Sequence, residues 1–397
     1  MSPSRGASLL FSHSRILTPA PNIHKWQLRF QSSLHQIPNA ETQIYLSRSQ
    51  SPYLNLSIEH HLLTKSPAES TILFLYTNSP SIIIGRNQNP WVECNLSLLR
   101  SSPLKPDLVR RRSGGGTVWH DEGNMNYSVI CPTSKFDRDI HAQMVVRALR
   151  RLAVDGVWVN ERHDIVMGSS VAAKPWKVSG SAYKLTRLRS VHHGTCLLNS
   201  PNLKDIGKFL RSPGKPYIKA RGVDSVSSPI ANVEVQNADF EDAVVKEFQQ
   251  MYGHVDPVLV GEEEGDVPEI MKGLKELKSR DWIYGQTPQF HFSYPTHPSS
   301  EAFEEVGPTV SENLTPFNLS FIARNAAINS ACLSQRPTST QRTSSLGNVK
   351  VHEIEDWSQY VLPSRDGTLV DAKSRTTEEH ETFVKDLNRI FGVALVG

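Results

Sequence analysis

Between about residue 44 and residue 292 the chain alternates short β-branched and aromatic runs with longer segments in which apolar residues return every three or four positions. That alternation is the signature of an α/β fold. Thr71 to Tyr76 and Ser81 to Ile84 read as strands on either side of an Asn78-Ser79-Pro80 turn. From 140 to 152, Ile140, Met144, Val145, Ala148 and Leu152 share one face of a helix, with Asp139 placed to cap it. Phe240, Val244, Val245, Phe248 and Met251 repeat the pattern in a helix that starts near Asn237 and stops at Gly253, which supplies the left-handed residue a helix end favours. Residues 301–346 carry no such period and finish in a polar run from Arg336 to Ser345, which predicts a linker or long loop. A last helix is announced by Thr376 with Glu379 as a capping box, then by Phe383, Val384, Leu387, Ile390 and Phe391 facing inward, then by Gly392. The expected division is a lead over 1–43, a large α/β domain over 44–292, a linker over 293–346 and a small C-terminal α+β subdomain over 347–397.

Composition narrows the classes. The 397 residues suffice for two or three domains at roughly 100 to 200 residues each. No apolar run approaches the roughly 20 residues of a membrane-spanning helix, so no membrane partner is expected. The net charge of +3 is uneven: residues 1–40 hold Arg5, Arg15, Lys25 and Arg29 and no acid, leaving 39 basic against 40 acidic residues in the remainder. That balance argues against a nucleic-acid binder. The acid-free start is also Ser-rich, with Leu9, Leu10, Phe11, Ile16 and Leu17 between its basic residues, the composition of a mitochondrial transit peptide. The expected location is therefore the mitochondrial matrix, with removal of the lead somewhere between about residues 30 and 44. Cys94, Cys131, Cys196 and Cys332 show neither CxxC nor metal-ligand spacing and are expected to be buried free thiols.

The candidate chemistry is concentrated in two places. Arg110-Arg111-Arg112-Ser113-Gly114-Gly115-Gly116-Thr117-Val118-Trp119-His120-Asp121 packs three arginines, three glycines and a His-Asp pair together. Consecutive glycines let backbone N–H groups approach an anion, and guanidinium forks add charge, so this stretch points to phosphate. It is neither a Walker A loop nor a dinucleotide fingerprint. Gly-Gly-Gly alone also fits a flexible turn beside a solvated basic run, but the strand-like Tyr127 to Ile130 that follows puts it at the mouth of a sheet. The second place is Lys177-Val178-Ser179-Gly180-Ser181-Ala182-Tyr183, where a lysine before a small-residue turn can project into a cleft, followed by His192-His193-Gly194-Thr195. The paired histidines lack a third ligand at sensible spacing, so substrate-shaping roles are favoured over zinc.

In this order and spacing, the two stretches, together with Gly85-Arg86-Asn87-Gln88-Asn89-Pro90-Trp91, Pro52 to Leu56, Arg221 to Val226 and Trp282 to Pro288, resemble the lipoate-protein ligase A family over about residues 44 to 292. The resemblance implies the biotin/lipoate ligase fold, a class II synthetase-like mixed sheet with flanking helices, of whose small C-terminal domain 347–397 would be a remnant. It implies activation of lipoate with ATP and Mg²⁺ to lipoyl-AMP, then transfer to a lysine of a lipoyl domain. By matching motif, Arg111, Ser113, Gly114, Gly115, Gly116, Thr117, Val118, Trp119, Asp164 and Lys177 would hold ATP or the adenylate. Gly85, Arg86, His120, Lys177, Gly180, Ser181, His193 and Gly194 would hold the lipoyl group, with Lys177 catalytic and Asp164 a candidate contact for Mg²⁺. His163 stands where the family shows asparagine. The partners implied are the lipoyl domains of 2-oxoacid dehydrogenase E2 subunits and the glycine-cleavage H protein. The divergent C-terminal region keeps open a transferase that takes lipoyl or octanoyl groups already activated on a carrier protein, coenzyme A or AMP. A catalytically silent binding partner of lipoyl domains is the reading from a different class.

Overall fold

The run Thr71–Thr77 is apolar on both faces because both are covered. It is β2 of a mixed six-stranded sheet that also contains β1 (Thr42–Ser47), β6 (Asn124–Pro132), β10 (Ser181–Leu185), β11 (Arg189–Leu197) and β13 (Val258–Val260), ordered β10-β11-β6-β2-β1-β13. β1 lies parallel to β2 and β13, and the other pairs are antiparallel. On one face Ile72, Phe74 and Tyr76 join Leu54, Ile58 and Leu62 of α1 (Pro52–Lys65) and Ile270 of α7 (Pro268–Lys278). On the other, Leu73 and Leu75 pack with Met144, Val145 and Ala148 of α4 (Arg138–Arg151) and Phe240, Val244 and Phe248 of α6 (Asn237–Tyr252). The layering is helix, sheet, helix, as a sheet apolar on both sides requires. This computed structural model describes residues 34–169, 174–295, 317–335, 342–343, 346–361 and 375–392. The lead before residue 34, and with it most of the expected transit peptide, lies outside them.

Two three-stranded sheets flank the main one. β3 (Ser81–Ile84) runs between β4 (Asp107–Arg110), parallel to it, and β5 (Val118–His120), antiparallel. β7 (Val157–Val159), β8 (Ile165–Met167) and β9 (Trp176–Ser179) form an antiparallel meander. The turn at 78–80 therefore does not pair its two strands; it carries the chain from one sheet to another. A fourth sheet of β12 (Ile218–Ala220), β14 (Phe290–Tyr294), β15 (Phe317–Arg324), β16 (Ala327–Gln335) and β17 (Arg342–Thr343) is antiparallel throughout. α9 (Arg375–Phe391) packs on it, and Phe383, Leu387, Ile390 and Phe391 share one core with Phe290, Phe292, Phe321 and Trp357. That core also takes in Trp91 of α2 (Pro90–Glu93), Leu96 of α3 (Leu96–Ser101), Phe209 of α5 (Leu203–Phe209) and Ile283 of α8 (Arg280–Gly285).

Several sequence expectations need correcting. The linker over 293–346 contains β15 and β16, whose buried Phe317, Leu319, Phe321 and Ala323 recur with period two, the period of a strand. The boundary at 292 falls inside β14. The rest of that segment, residues 296–316, 336–341 and 344–345, lies outside the described residues. In α4 the cap is Asp137, which accepts from the amides of Asp139 and Ile140, while Asp139 sits in the first turn. Ile140 is exposed there, at the open end of the helix. α6 ends as expected at Gly253, whose φ is 98°. The proposed capping box at Thr376 involves side chains outside the described residues. Cys94, Cys131 and Cys196 are buried free thiols, but Cys332 is only half-buried.

Candidate active site

Three consecutive arginines do three different things. Arg110, at the end of β4, is buried and nails the next strand end to α8: its guanidinium donates to the carbonyls of Arg86 (2.9 Å), Gln88 (2.7 Å) and Ile283 (2.7 Å). Burial and the neighbouring Arg86 pull its pKa down to about 9. Arg111 is buried inside the glycine loop, donating to Gly114 O at 2.6 Å, Gly116 O at 2.7 Å and Ser113 Oγ at 2.9 Å. Arg112 faces the other way, pairing with Glu276 at 2.6 Å and stacking on Trp282. A solvated basic run is therefore not what the sequence encodes here.

With its carbonyls drawn onto Arg111, the loop has its amides left over. Among the described residues, the N–H groups of Gly114, Gly115 and Gly116 make no hydrogen bond. Gly115 has φ of +83°, a conformation an L side chain rarely takes. Gly85, at the end of β3, lies so close beneath that a Cβ there would stand 2.1 Å from Gly115 O. The loop is anchored at its far end by Thr117 N, which donates to Ser225 Oγ at 2.8 Å.

The loop opens on a cavity of about 260 Å³. Of the residues expected from sequence, Arg111, Gly115, Gly116, Thr117, Val118, His120, Asp164, Lys177, Gly180, Ser181, His193 and Gly194 line it. Lys177 projects from within β9, not from a turn; Gly180 is where the chain leaves that sheet for β10. Its ammonium lies 3.0 Å from Asp164 Oδ2, and Asp164 is buried. Leu56, Tyr76, Ile83 and Ala182 add apolar lining, as a site for an acyl group requires.

Five expected residues lie elsewhere. Trp119 faces away from the cavity, stacked on Phe209 with its Nε1 donating to Asp121, because neighbours on β5 point to opposite faces. Gly85 backs the loop without lining the cavity. Arg86 turns outward, 4.4 Å over the Trp282 ring and bonded to Gln286 at 2.8 Å. Ser113 is buried behind the wall between Arg111 and His193, and Gly114 is not part of the lining. His163, at φ 63°, points to Asp139 (2.6 Å), away from the site.

Sequence reasoning missed other members. Tyr76, Asn126 and Thr195 line the cavity from β2, β6 and β11, where the register sets Tyr76 opposite Asn126 and Asn126 opposite Thr195. The available signal was polar residues at alternate positions of otherwise apolar strands. Arg138, Arg162 and the segment 223–226 also line it. His120 is held at Nδ1 by Asn78 (2.8 Å), and burial, with Arg111 and His193 nearby, drives its pKa down to about 3.

Residues 51–250 match the family model of the lipoyl protein ligase A/B catalytic domain, half of the whole chain. The chain belongs to this family. A provisionally named lipoate-protein ligase A of Schizosaccharomyces pombe is 40% identical over 273 residues, 63% of this chain and 72% of that protein. Lipoate-protein ligase A of Bdellovibrio bacteriovorus is 30% identical over 340 residues, 79% of this chain and 97% of its own length. Among solved structures, Plasmodium falciparum LipL1 in complex with lipoate superposes with a TM-score of 0.51 at 24% identity, covering 74% of this chain and 84% of that one. A lipoate-protein ligase A bound with ATP gives 0.50 at 21% identity, covering 62% and 98%. These two establish the shared fold.

Proposed function

We propose that this ligase activates lipoate with ATP to lipoyl-AMP and passes the lipoyl group to a lysine of a lipoyl domain. The observation that carries the reading is the meeting, in one cavity, of the Lys177 ammonium with the unused amides of the glycine loop. In the first step a lipoate carboxylate oxygen attacks the α-phosphorus, the bond to the β-phosphate breaks and pyrophosphate leaves. Negative charge grows on the phosphoryl oxygens, where fixed N–H groups and an ammonium stabilise it without reorganising. In the second step the acceptor amine attacks the mixed anhydride carbonyl and AMP departs. Lys177 polarises that carbonyl, and Asp164 holds the ammonium in place. His120 is too weak a base at neutral pH to take the amine's proton.

A Mg²⁺ ion carried in with the triphosphate fits Asp164, one of the two carboxylates that line the cavity with Asp224, since one or two carboxylates plus phosphates is a usual Mg²⁺ set. It would neutralise phosphate charge. The acceptors proposed are the lipoyl domains of 2-oxoacid dehydrogenase E2 subunits and the glycine-cleavage H protein, met in the mitochondrial matrix; the matrix assignment rests on the acid-free, Ser-rich first 40 residues. Mass spectrometry of an apo acceptor domain after incubation tests the reaction. Lipoylation requiring lipoate, ATP and Mg²⁺ together is expected, and lipoylation without ATP contradicts it. Import of a reporter carrying residues 1–43 into isolated mitochondria tests the location, and exclusion of the reporter counts against it.

A further inference from the structure

In and behind the cavity wall a row of four buried side chains runs from α1 to the glycine loop. Glu59 Oε2 lies 2.8 Å from His193 Nδ1, and His193 Nε2 lies 2.8 Å from Ser113 Oγ. Arg111 Nε donates to that same oxygen at 2.9 Å. Serine, histidine and carboxylate in this order generate a nucleophile in hydrolases. Here, however, Ser113 does not line the cavity, and its oxygen already accepts from Arg111. The row is built to hold, not to attack.

Its hydrogens fix a direction. Arg111 can only donate, so the Ser113 hydrogen needs another acceptor, and His193 Nε2 is the one within reach. His193 then carries its proton on Nδ1, toward the Glu59 carboxylate. Every donor in the row points to Glu59, which also accepts from Ser128 at 2.5 Å. The remaining Arg111 hydrogen bonds go to carbonyls of Ile83, Gly114 and Gly116, so among the described residues no carboxylate touches this buried cation directly. Burial lowers the Arg111 pKa to about 10, and the field of Glu59 works against that fall. Burial of Glu59 would raise its carboxyl, but the hydrogen bonds from His193 and Ser128 bring it below the ordinary value. The Glu59 carboxylate thus sustains the guanidinium's charge across two intervening side chains.

We propose that Glu59 is a positioning residue of this enzyme, acting through His193 and Ser113 to fix the Arg111 guanidinium and so keep the glycine-loop amides turned toward the cavity. Its ligand, the adenylate, rests on the function proposed above; its geometry does not. Glu59→Gln keeps the size and removes the charge, and Ser113→Ala cuts the row at its middle by one oxygen.

The experiment compares full-length wild type, both single variants and the double. Deuterium uptake over residues 110–118, read without ligand, is expected to rise about fivefold or more in each single variant, with uptake over α6 unchanged. Wild-type uptake over 110–118 in the variants overturns the proposal. Lipoyl-AMP affinity is expected to weaken about tenfold in either single variant and no further in the double, the behaviour of one coupled unit. Losses that multiply overturn it as well. Nitrogen-15 spectra of the histidine rings are expected to show the Nδ1–H form at His193 in wild type, and the Nε2–H form there would reverse the assigned direction. If wild type fails to bind lipoyl-AMP while uptake responds as expected, the adenylate reading falls and the positioning role stands.

Discussion

Lys177 and Asp164 make a 3.0 Å pair whose removal should separate chemistry from folding. Lys177→Ala is expected to lower kcat/KM for lipoyl transfer by about 10²- to 10³-fold, the loss typical of a preorganised donor at a developing charge. Its melting temperature should stay within a few degrees of wild type, and a variant with near-normal transfer would remove Lys177 from the mechanism. Acid sensitivity is a second residue-scale property. Burial pushes His192 to about 3, with His141 and His193 adding to the effect, and pushes His141 to about 4. Each binds a proton less readily in the fold than out of it, so its contribution is intact above about pH 6.5 and is lost as pH falls toward those values. His192→Phe, which keeps a ring against Tyr127, should spare the protein about 2 kcal/mol of the stability lost between pH 6.5 and pH 5. A loss of stability between the two pH values that is the same in the variant as in wild type, read by denaturant titration, would contradict this. Lys177 was legible only through the resemblance of its Lys-Val-Ser-Gly-Ser-Ala-Tyr motif to the family, since an isolated lysine is usually a solvated surface charge. Glu59 was not, because an acid in a helix next to His60 and His61 looks solvated until the sheet that buries it is known.

Among elements, the segment just before β1 carries an unexpected constraint. Leu34 is fully buried against α1; its amide donates to Glu264 at 2.7 Å and its carbonyl lies 3.0 Å from His61 Nε2. A chain beginning at residue 34 should match the full chain in stability. One beginning at residue 44 should lose about 2 to 4 kcal/mol, the scale of a deleted large core side chain plus an unpaired buried acid. Equal chemical denaturation of the two would refute the contact's importance. The helices α4 and α6 were legible from a period of 3.6, whereas β15 was hidden by polar residues at alternate positions, Asn318 and Ser320, which a search for helical faces passes over.

At the scale of the molecule, the α/β class followed from alternating elements, but the division into domains did not. Phe290, Phe321, Trp357 and Phe391 share one core with Trp91 and Phe209, so the C-terminal sheet and α9 complete the packing beneath the strands that carry the glycine loop. Such a union cannot be read from a linear pattern, because it depends on which apolar faces meet. A fragment ending at residue 292 should therefore expose several aromatic side chains and aggregate or bind a hydrophobic dye, and a soluble fragment with cooperative unfolding would contradict the shared core. The function belongs to this scale too, since loop, lysine and lining strands come from three sheets. The most direct test is lipoate-dependent exchange of pyrophosphate into ATP by the chain from residue 34 onward, with Mg²⁺ present and Lys177→Ala alongside. The account predicts exchange in the wild type that requires lipoate and falls at least about a hundredfold in the variant. A folded wild type that moves preformed lipoyl-AMP to an acceptor domain yet shows no exchange would contradict it, and would make the protein a transferase that depends on a donor activated elsewhere.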